Sequence, residues 1–189
     1  MLVPPATSPI GAPSLTFDDG PAEDTDALLD VLARHGVAAT FFLVGERVAQ
    51  REGIVQRLVR EGHQLGNHSW NHPDLRTLPL HEVREQLIRT SDAVEAAGGV
   101  RPRVFRPPYG YTSVPIEELA ESLGMRMLLW DVDTADWSCP GVDIVADAIA
   151  TAPPGAVVLL HDGPADRAGT VAAVDSALSA VAARTRGEQ

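Results

Sequence analysis

The sequence predicts an α/β protein, a small or distorted (β/α) barrel in a single domain, on three observations. Short apolar runs alternate with helical patterns along the chain, which is typical of parallel βαβ units. The runs are continuously apolar, as in strands buried on both faces. Polar residues that can carry chemistry follow most of the runs, where the carboxyl ends of barrel strands would gather them. An open doubly wound sheet is the alternative fold.

The first three strand–helix units are delimited by residues that start and stop helices. The first helical pattern has leucines along one face, Asp24 or Thr25 at its start and Gly36 at its end. The second passes through Ile54 and ends at Gly62, and the third is a long helix over 80–97. The strands that precede these helices are predicted at 15–17, 39–44 and 63–67.

Glycines and short apolar runs also delimit the last three units. Gly98 and Gly99 end the long helix. The remaining strands are predicted at 104–105, 127–131 and 156–160, with helices near 115–123, 142–151 and 170–183. The folded domain is expected to cover 14–184, between an N-terminal extension at 1–13 and a C-terminal tail at 185–189.

The composition limits the classes of partner. A formal net charge of −11 without any Lys/Arg run argues against nucleic acid. No apolar run reaches the ~20 residues that cross a bilayer, and the first residues lack the pattern of a signal peptide. The single cysteine, Cys139, excludes an internal disulfide and lies in no nucleophile motif. We expect a monomer, which works in the cytoplasm or is the catalytic part of a longer exported chain.

An acidic pair, Asp18 and Asp19, and two histidines four residues apart, His68 and His72, suggest a metal site. Adjacent carboxylates cannot both point the same way, so one can ligate a cation while the other faces the substrate as a base. One carboxylate and two imidazoles leave coordination positions open, as a catalytic zinc requires. Ordinary polar histidines and an acidic turn are the alternatives, and the spacing does not distinguish ligand from base.

A rigid segment, Arg106-Pro107-Pro108-Tyr109-Gly110, follows the fourth predicted strand. Because neither proline has an N–H, the first free amide after the strand belongs to Tyr109, which makes it a candidate oxyanion donor. Arg106 could hold a catalytic aspartate and keep it ionised. A stiff loop without a catalytic role is the alternative.

The end of the last predicted strand carries a candidate proton donor. His161 at that position suits a general acid for an amine leaving group, although a structural histidine is the alternative. Asp133 and Asp136 follow the fifth predicted strand, and either could orient His161 and raise its pKa. Asp136 is preferred because it adjoins Trp137, whose face could support a sugar ring.

These segments, in this order, resemble the five motifs of the NodB-type polysaccharide deacetylases, carbohydrate esterase family four. The resemblance covers nearly the whole chain, from Thr16 to about Val181. It implies a distorted, incomplete (β/α) barrel of about six to seven strands. The five matching segments are Thr16-Phe17-Asp18-Asp19-Gly20-Pro21, His68-Ser69-Trp70-Asn71-His72, Arg106-Pro107-Pro108-Tyr109-Gly110, Asp133-Thr134-Ala135-Asp136-Trp137 and Leu159-Leu160-His161.

The resemblance assigns the metal ligands and the base. A divalent metal, usually zinc with Co²⁺, Ni²⁺ and Mn²⁺ as alternatives, would be bound by Asp19, His68 and His72. Asp18 would be the base that deprotonates the attacking water, and Arg106 would steady it.

It also implies the remaining roles. The amide of Tyr109 would stabilise the oxyanion, and His161, oriented by Asp136, would protonate the departing amine. Leu159 and Trp137 would form the wall of the acetyl pocket.

The activity implied is removal of N-acetyl groups from amino sugars of a glycan, either chitin-type or peptidoglycan. An acetylxylan esterase and a deacylase of a small intracellular amide are the alternatives among hydrolases. A ferrous oxygenase shares the ligand set but would leave the second aspartate, Arg106 and His161 without a task. A degenerate glycan-binding module would lack a motif residue, and none is missing.

Overall fold

The computed structural model describes residues 13–187. Of the predicted N-terminal extension only residue 13 is described, and of the predicted tail only 185–187, which continue the last helix. The strands are β1 Ser14–Asp18, β2 Thr40–Leu43, β3 Gln64–Asn67, β4 Val104–Phe105, β5 Arg126–Met127, β6 Val132–Asp133 and β7 Val157–His161. The α-helices are α1 Thr25–His35, α2 Gly45–Val48, α3 Glu52–Arg60, α4 Leu80–Gly98, α5 Val114–Ser122, α6 Val142–Ala150 and α7 Ala168–Gly187.

The seven strands form one curved sheet, in the order β5-β4-β3-β2-β1-β7-β6. Every neighbouring pair is parallel, so all carboxyl ends lie at the same rim. Helices cover the outside of the sheet, and its two edge strands leave a gap. The prediction of an incomplete (β/α) barrel in a single domain is therefore confirmed.

The prediction of a fifth strand at 127–131 is wrong. Residues 127–131 do not form one strand, because the two ends of this region pair with different neighbours. Arg126–Met127 pairs with β4 at one edge of the sheet, whereas Val132–Asp133 pairs with β7 at the other. The connection 128–131 crosses the gap of the barrel without an intervening helix. Below we call 128–131 the crossing segment.

The strands present different chemistry to their two faces, which also departs from the continuously apolar pattern that we expected. In β1, Leu15 and Phe17 belong to the main apolar core under the helices. Thr16 and Asp18 alternate with them, are also buried, and point into the barrel, where both accept hydrogen bonds from Arg106. Burial of each large apolar side chain contributes roughly 1.5–3 kcal/mol, so the outer layer stabilises the fold while the interior carries polar groups.

Helix ends follow the sequence signals. Gly36 and Gly99 end α1 and α4 in the left-handed conformation, with φ of 63° and 72°, which a residue without Cβ adopts at little cost. The N-terminus of α1 begins after Asp24, as predicted. Among the described helices, none is both long and apolar enough to cross a bilayer.

Candidate active site

The turn after β1 sends its two carboxylates in different directions. Asp18 keeps strand conformation, and its Oδ1 lies 2.8 Å from Nη1 of Arg106 in the barrel interior. Asp19 has a φ of 74°, in the left-handed region. This reversal turns its carboxylate towards His68 and His72 instead. The two adjacent aspartates therefore have different partners, as their residue types allow but their order does not specify.

Asp19, His68 and His72 form a compact cluster. Oδ1 of Asp19 lies 3.5 Å from Nε2 of His68 and 3.1 Å from Nε2 of His72. One ligand atom from each residue falls within 4.8 Å of the other two. Burial disfavours the charged form of Asp19, but the two imidazoles outweigh this effect and hold the pKa of Asp19 below its ordinary value.

The donor chemistry of this cluster fits a divalent cation. Oδ1 of Asp19 is buried and has no hydrogen-bond partner among the described residues. Nδ1 of His68 lies 2.7 Å from the carbonyl oxygen of Arg106, which can only accept, so Nδ1 carries the proton. The lone pair of its Nε2 then faces Asp19 and His72, as in a ligating histidine whose other nitrogen is held by a carbonyl.

The two histidines lie in a loop, not on a helix. Ser69 and His72 have φ values of 66° and 60°, so the chain folds back twice within five residues. The amide of Ser69 donates to the side chain of Asn67, and the hydroxyl of Ser69 accepts the amide of His72. Oε1 of Gln86, from α4, accepts the amide that follows Ser69. These bonds fix a backbone that non-glycine residues seldom adopt.

Arg106 is fully buried and uses its guanidinium on four acceptors. Besides Asp18 it donates to Oγ1 of Thr16, at 2.8 Å. Its Nε and Nη2 donate to the carbonyl oxygens of Leu128 and Leu129 in the crossing segment. Burial lowers the pKa of Arg106, and the charge of Asp18 opposes this shift. Arg106 thus connects the candidate base to the segment that spans the gap of the barrel.

Tyr109 lies at the rim beside the cluster. Its φ of 62° makes the chain reverse after the two prolines, and its ring packs edge-on against His72 with 4.6 Å between centroids. Gly110 follows, and a Cβ there would come within 2.6 Å of the Trp130 ring. The absence of a side chain at Gly110 therefore lets the crossing segment pack closely against the Tyr109 turn.

His161 is held from behind by Asp136. Nδ1 of His161 lies 2.8 Å from Oδ1 of Asp136, and the backbone amide of His161 donates to Oδ2. The hydroxyl of Thr170 donates to the same Oδ2. Burial opposes the charged imidazole, but the bond and the charge of Asp136 raise the pKa of His161 above its ordinary value. Asp133, the other aspartate that we considered, is exposed and accepts the amide of Ala135.

These side chains share one cavity of about 500 Å³ at the carboxyl rim. Asp18 and His161 come from neighbouring strands at paired positions. The predicted site residues line the cavity except Arg106 and Asp136, which lie behind its surface. The lining is Asp18, Asp19, His68, His72, Tyr109, Gly110, Tyr111, Trp130, Asp133, Trp137, Leu159 and His161.

Several residues around the site were missed from the sequence. Tyr111 and Trp130 line the cavity but belong to no predicted catalytic group. Thr170 contacts Asp136 from a helix that gave no functional signal. Asp162 directly follows His161 and is buried against Gly20. Of these residues only Asp162 could have been identified from the sequence, because it is a charged residue directly after a strand end that already carries His161.

Comparisons with known proteins identify a family and similar solved structures. The family described as polysaccharide deacetylase matches residues 7–128. A peptidoglycan-N-acetylglucosamine deacetylase of Listeria monocytogenes is 44% identical over 151 residues, covering 79% of this chain and 32% of that protein. The chain thus spans about a third of the length of that relative.

Two further matches cover more of the related chain. A chitooligosaccharide deacetylase of Sinorhizobium fredii is 41% identical over 158 residues, covering 81% of this chain and 74% of the other. The solved family 4 carbohydrate esterase from Streptomyces lividans, in complex with acetate, superposes with a TM-score of 0.86 at 36% identity. That superposition covers 92% of this chain and 89% of the esterase.

Proposed function

Because the chain belongs to the polysaccharide deacetylase family, we propose that it hydrolyses N-acetyl groups on amino sugars of a glycan. Water adds to the acetamide carbonyl carbon, the C–N bond breaks, and acetate and a free amine leave. The observation that carries this proposal is that one cavity is lined by an aspartate, a carboxylate–imidazole cluster and a histidine whose Nδ1 is held by a buried aspartate. Each part matches one need of amide hydrolysis.

Asp18 is the proposed general base. Its Oδ1 is occupied by Arg106, while Oδ2 lies on the side of the metal cluster, 3.7 Å from Nε2 of His68. The bond to Arg106 is charge-assisted and fixes the orientation of the carboxylate. The free oxygen can then accept a proton from a water at the cluster.

His161 is the proposed general acid. The carboxylate of Asp136 keeps the proton on Nδ1 and stabilises the charged ring, so that Nε2 can deliver its proton towards the cavity. An amide needs such a donor because an unprotonated amine anion is a very poor leaving group. Protonation of the nitrogen by His161 lets the C–N bond break.

The proposed oxyanion site combines the amide of Tyr109 with the cation cluster. A divalent cation held by Asp19, His68 and His72 would supply Lewis acidity, polarising the carbonyl under attack. Tyr109 has a left-handed backbone conformation and is a lining residue of the same cavity, which supports this assignment. Leu159 would pack against the acetyl methyl group.

Zinc is the cation we propose. Two imidazoles and one carboxylate are a donor set found in catalytic zinc sites that retain open positions. Co²⁺, Ni²⁺ and Mn²⁺ accept the same nitrogen and oxygen donors. Comparing the activity of the zinc-loaded chain with that of chains loaded with these metals therefore tests the assignment of zinc.

The proposed substrate is a chitin-type or peptidoglycan glycan, as in the names of the related enzymes. Exposed aromatic rings at the rim support a sugar-binding role, since Tyr109 and Trp137 are more than half exposed there. Aromatic faces of this kind pack well against the apolar faces of sugar rings.

Acetate release tests the proposal directly. The purified chain, metal-free and zinc-loaded, is incubated with chito-oligosaccharides, peptidoglycan fragments and acetylated xylan in parallel. We expect zinc-dependent acetate release from an amino-sugar substrate. Release from xylan alone would make the chain an esterase, and activity confined to small amides would overturn the glycan assignment.

The matched variant is Asp18→Asn, which keeps the size of the side chain and removes the base. We expect a loss of about 100-fold or more in kcat, while zinc still binds because Asp19, His68 and His72 are unchanged. Full activity of Asp18→Asn would exclude the proposed mechanism. If the unsubstituted, zinc-loaded chain binds oligosaccharides but does not turn them over, a glycan-binding module is favoured instead.

A further inference from the structure

Three successive carbonyl oxygens of the turn after β1 are each held by a different part of the chain. The oxygen of Asp18 accepts the backbone amide of Asp162, at 3.0 Å. The oxygen of Gly20 accepts the backbone amide of Val44, at 2.9 Å. Between them, the oxygen of Asp19 accepts a hydrogen bond from Nη1 of Arg47. Of these three donors, Arg47 alone is a side chain.

Arg47 belongs to α2, and the backbone of the same short helix holds the other ligand-bearing loop. The amide of Gly45 donates to the carbonyl oxygen of Ser69, and the amide of Glu46 donates to that of Trp70, each at 3.0 Å. A Cβ at Gly45 would lie 2.5 Å from the Trp70 ring, so the close approach requires glycine. The first two backbone amides of α2 thus bind the loop that carries His68 and His72.

From this arrangement we infer that α2 holds the two proposed metal-binding loops in place relative to each other, and that Arg47 is a positioning residue for Asp19. Its backbone amides fix the histidine loop, and its arginine fixes the aspartate turn. The inference rests on the proposed function only in taking Asp19, His68 and His72 as the metal ligands. Arg47 is not among the residues that line the proposed catalytic cavity, and its hydrogen bond goes to the carbonyl oxygen of Asp19, not to a proposed ligand atom.

The position of the bond explains why it would matter. Asp19 has a left-handed φ of 74°, which costs free energy in a residue with Cβ. A donor on the Asp19 carbonyl stabilises this peptide orientation, and that orientation aims the carboxylate at the histidines. Partners of this kind behind a metal ligand change metal affinity by about 10- to 100-fold when they are removed.

The charge of Arg47 provides a test by sign. A guanidinium close to a cation site weakens cation binding by repulsion, so a residue that acted only through its charge would raise zinc affinity when removed. A positioning residue has the opposite effect, because loss of its hydrogen bond lowers the affinity. Arg47→Met removes both the donor and the charge, Arg47→Gln keeps a donor without the charge, and Arg47→Lys keeps a charged donor.

The experiment measures zinc affinity of the full chain by competition with a chromogenic chelator, and the visible absorption of the Co²⁺-loaded protein. We expect about a tenfold or larger loss of zinc affinity in Arg47→Met, an altered Co²⁺ spectrum, and partial rescue in Arg47→Lys. Arg51→Met is the matched control. Arg51 lines the same outer cavity as Arg47, and none of its hydrogen bonds among the described residues reaches the Asp19 carbonyl.

Wild-type affinity and an unchanged Co²⁺ spectrum in Arg47→Met would overturn the inference, and so would tighter zinc binding in both Arg47→Met and Arg47→Gln. An equal loss in Arg51→Met would overturn it too, by showing a general charge effect. If Arg47→Met does not fold, Arg47→Gln against Arg47→Lys carries the comparison. Failure of the wild-type chain to bind any divalent cation would refute the metal site itself, a result distinct from all of these.

Discussion

At the scale of single residues, backbone conformation separates the tasks of identical side chains. Asp18 and Asp19 are adjacent and chemically alike, yet the positive φ of Asp19 directs one carboxylate to Arg106 and the other to the histidines. The same holds for Asp133 and Asp136, of which only Asp136 contacts His161. The spacing of these aspartates along the chain does not indicate which partner each one contacts.

The Asp136–His161 pair should set the alkaline limit of activity. Because Asp136 raises the pKa of His161, the imidazole stays protonated to higher pH. In Asp136→Asn that pKa falls, because the carboxylate that stabilises the charged imidazole is lost, so the alkaline limb of the kcat/KM profile moves to lower pH. Profiles from pH 5 to 10 measure the shift. Asp133→Asn is the control, and an unmoved limb in Asp136→Asn would contradict the assignment of His161 as the acid.

Asp162 should make stability depend on pH. Burial raises its pKa to about 7; the Thr25 hydroxyl opposes the shift, and the charges of Asp19 and Asp18 add to it. The folded state therefore holds a proton between about pH 4 and pH 7 that the unfolded state releases. The free energy of unfolding should fall as pH rises through this window, by on the order of 1 kcal/mol per pH unit.

Urea unfolding of the metal-free protein at several pH values measures this slope. Asp162→Asn keeps the shape of the side chain and cannot ionise, so the difference between wild type and variant isolates the Asp162 contribution. We expect the variant to lose relative stability towards pH 5 and to gain it towards pH 8. A difference that does not vary with pH would show that Asp162 does not titrate in this range.

At the scale of elements, the gap in the barrel is closed by a non-strand segment that a buried side chain holds in place. The edge strands β5 and β6 leave a gap, and the crossing segment spans it. Arg106 binds two carbonyl oxygens of that segment from inside. Trp130, in the same segment, lines the cavity. One buried guanidinium thus holds the wall of the candidate catalytic cavity at the gap.

Replacement of Arg106 should therefore affect stability as well as activity. Arg106→Met leaves Asp18 buried without its partner and two carbonyl oxygens without donors, so we expect a loss of about 3–5 kcal/mol in the free energy of unfolding. Arg106→Lys should recover only part, since an ammonium cannot reproduce the planar array of donors. Denaturant unfolding measures both variants.

The Asp18→Asn/Arg106→Met double variant completes the cycle. In the Asp18→Asn background the carboxamide at position 18 carries no charge that Arg106 must balance. Arg106→Met should therefore lower the free energy of unfolding by about 0.5–3 kcal/mol less in that background than in the wild type. Strict additivity would mean that the ion pair does not contribute to stability, and that Arg106 acts only through the crossing segment.

At the scale of the whole molecule, charge should influence the choice of glycan. The net charge is −11, and the cavity lining carries carboxylates but neither lysine nor arginine. Like charges repel at a distance, and salt screens this repulsion. A neutral chito-oligosaccharide would encounter no such barrier, whereas a glycan fragment rich in free carboxylates would.

We therefore expect kcat/KM for acidic peptidoglycan fragments to rise by about two- to tenfold between low and high salt, while kcat/KM for neutral chito-oligosaccharides changes little. Parallel kinetics on both substrates at two NaCl concentrations make the comparison. Asp133→Asn should reduce the salt effect, since Asp133 is an exposed carboxylate of the lining. Equal salt dependence of the two substrates would exclude control by long-range charge.

The sequence by itself determined the order of the elements, the helix ends at Gly36 and Gly99, and the residues that meet at the rim, because apolar periodicity and strand-end position are local along the chain. Residue spacing left open which aspartate faces Arg106 and which one contacts His161; the family resemblance predicted Asp18 and Asp136, and the tertiary structure shows these contacts. Only the tertiary structure decided that two short strands, β5 and β6, at opposite edges of the sheet replace the fifth predicted strand. The contribution of Arg47 to the Asp19 turn also emerged only there. These outcomes depend on backbone φ values and on partners distant in sequence, and residue spacing specifies neither.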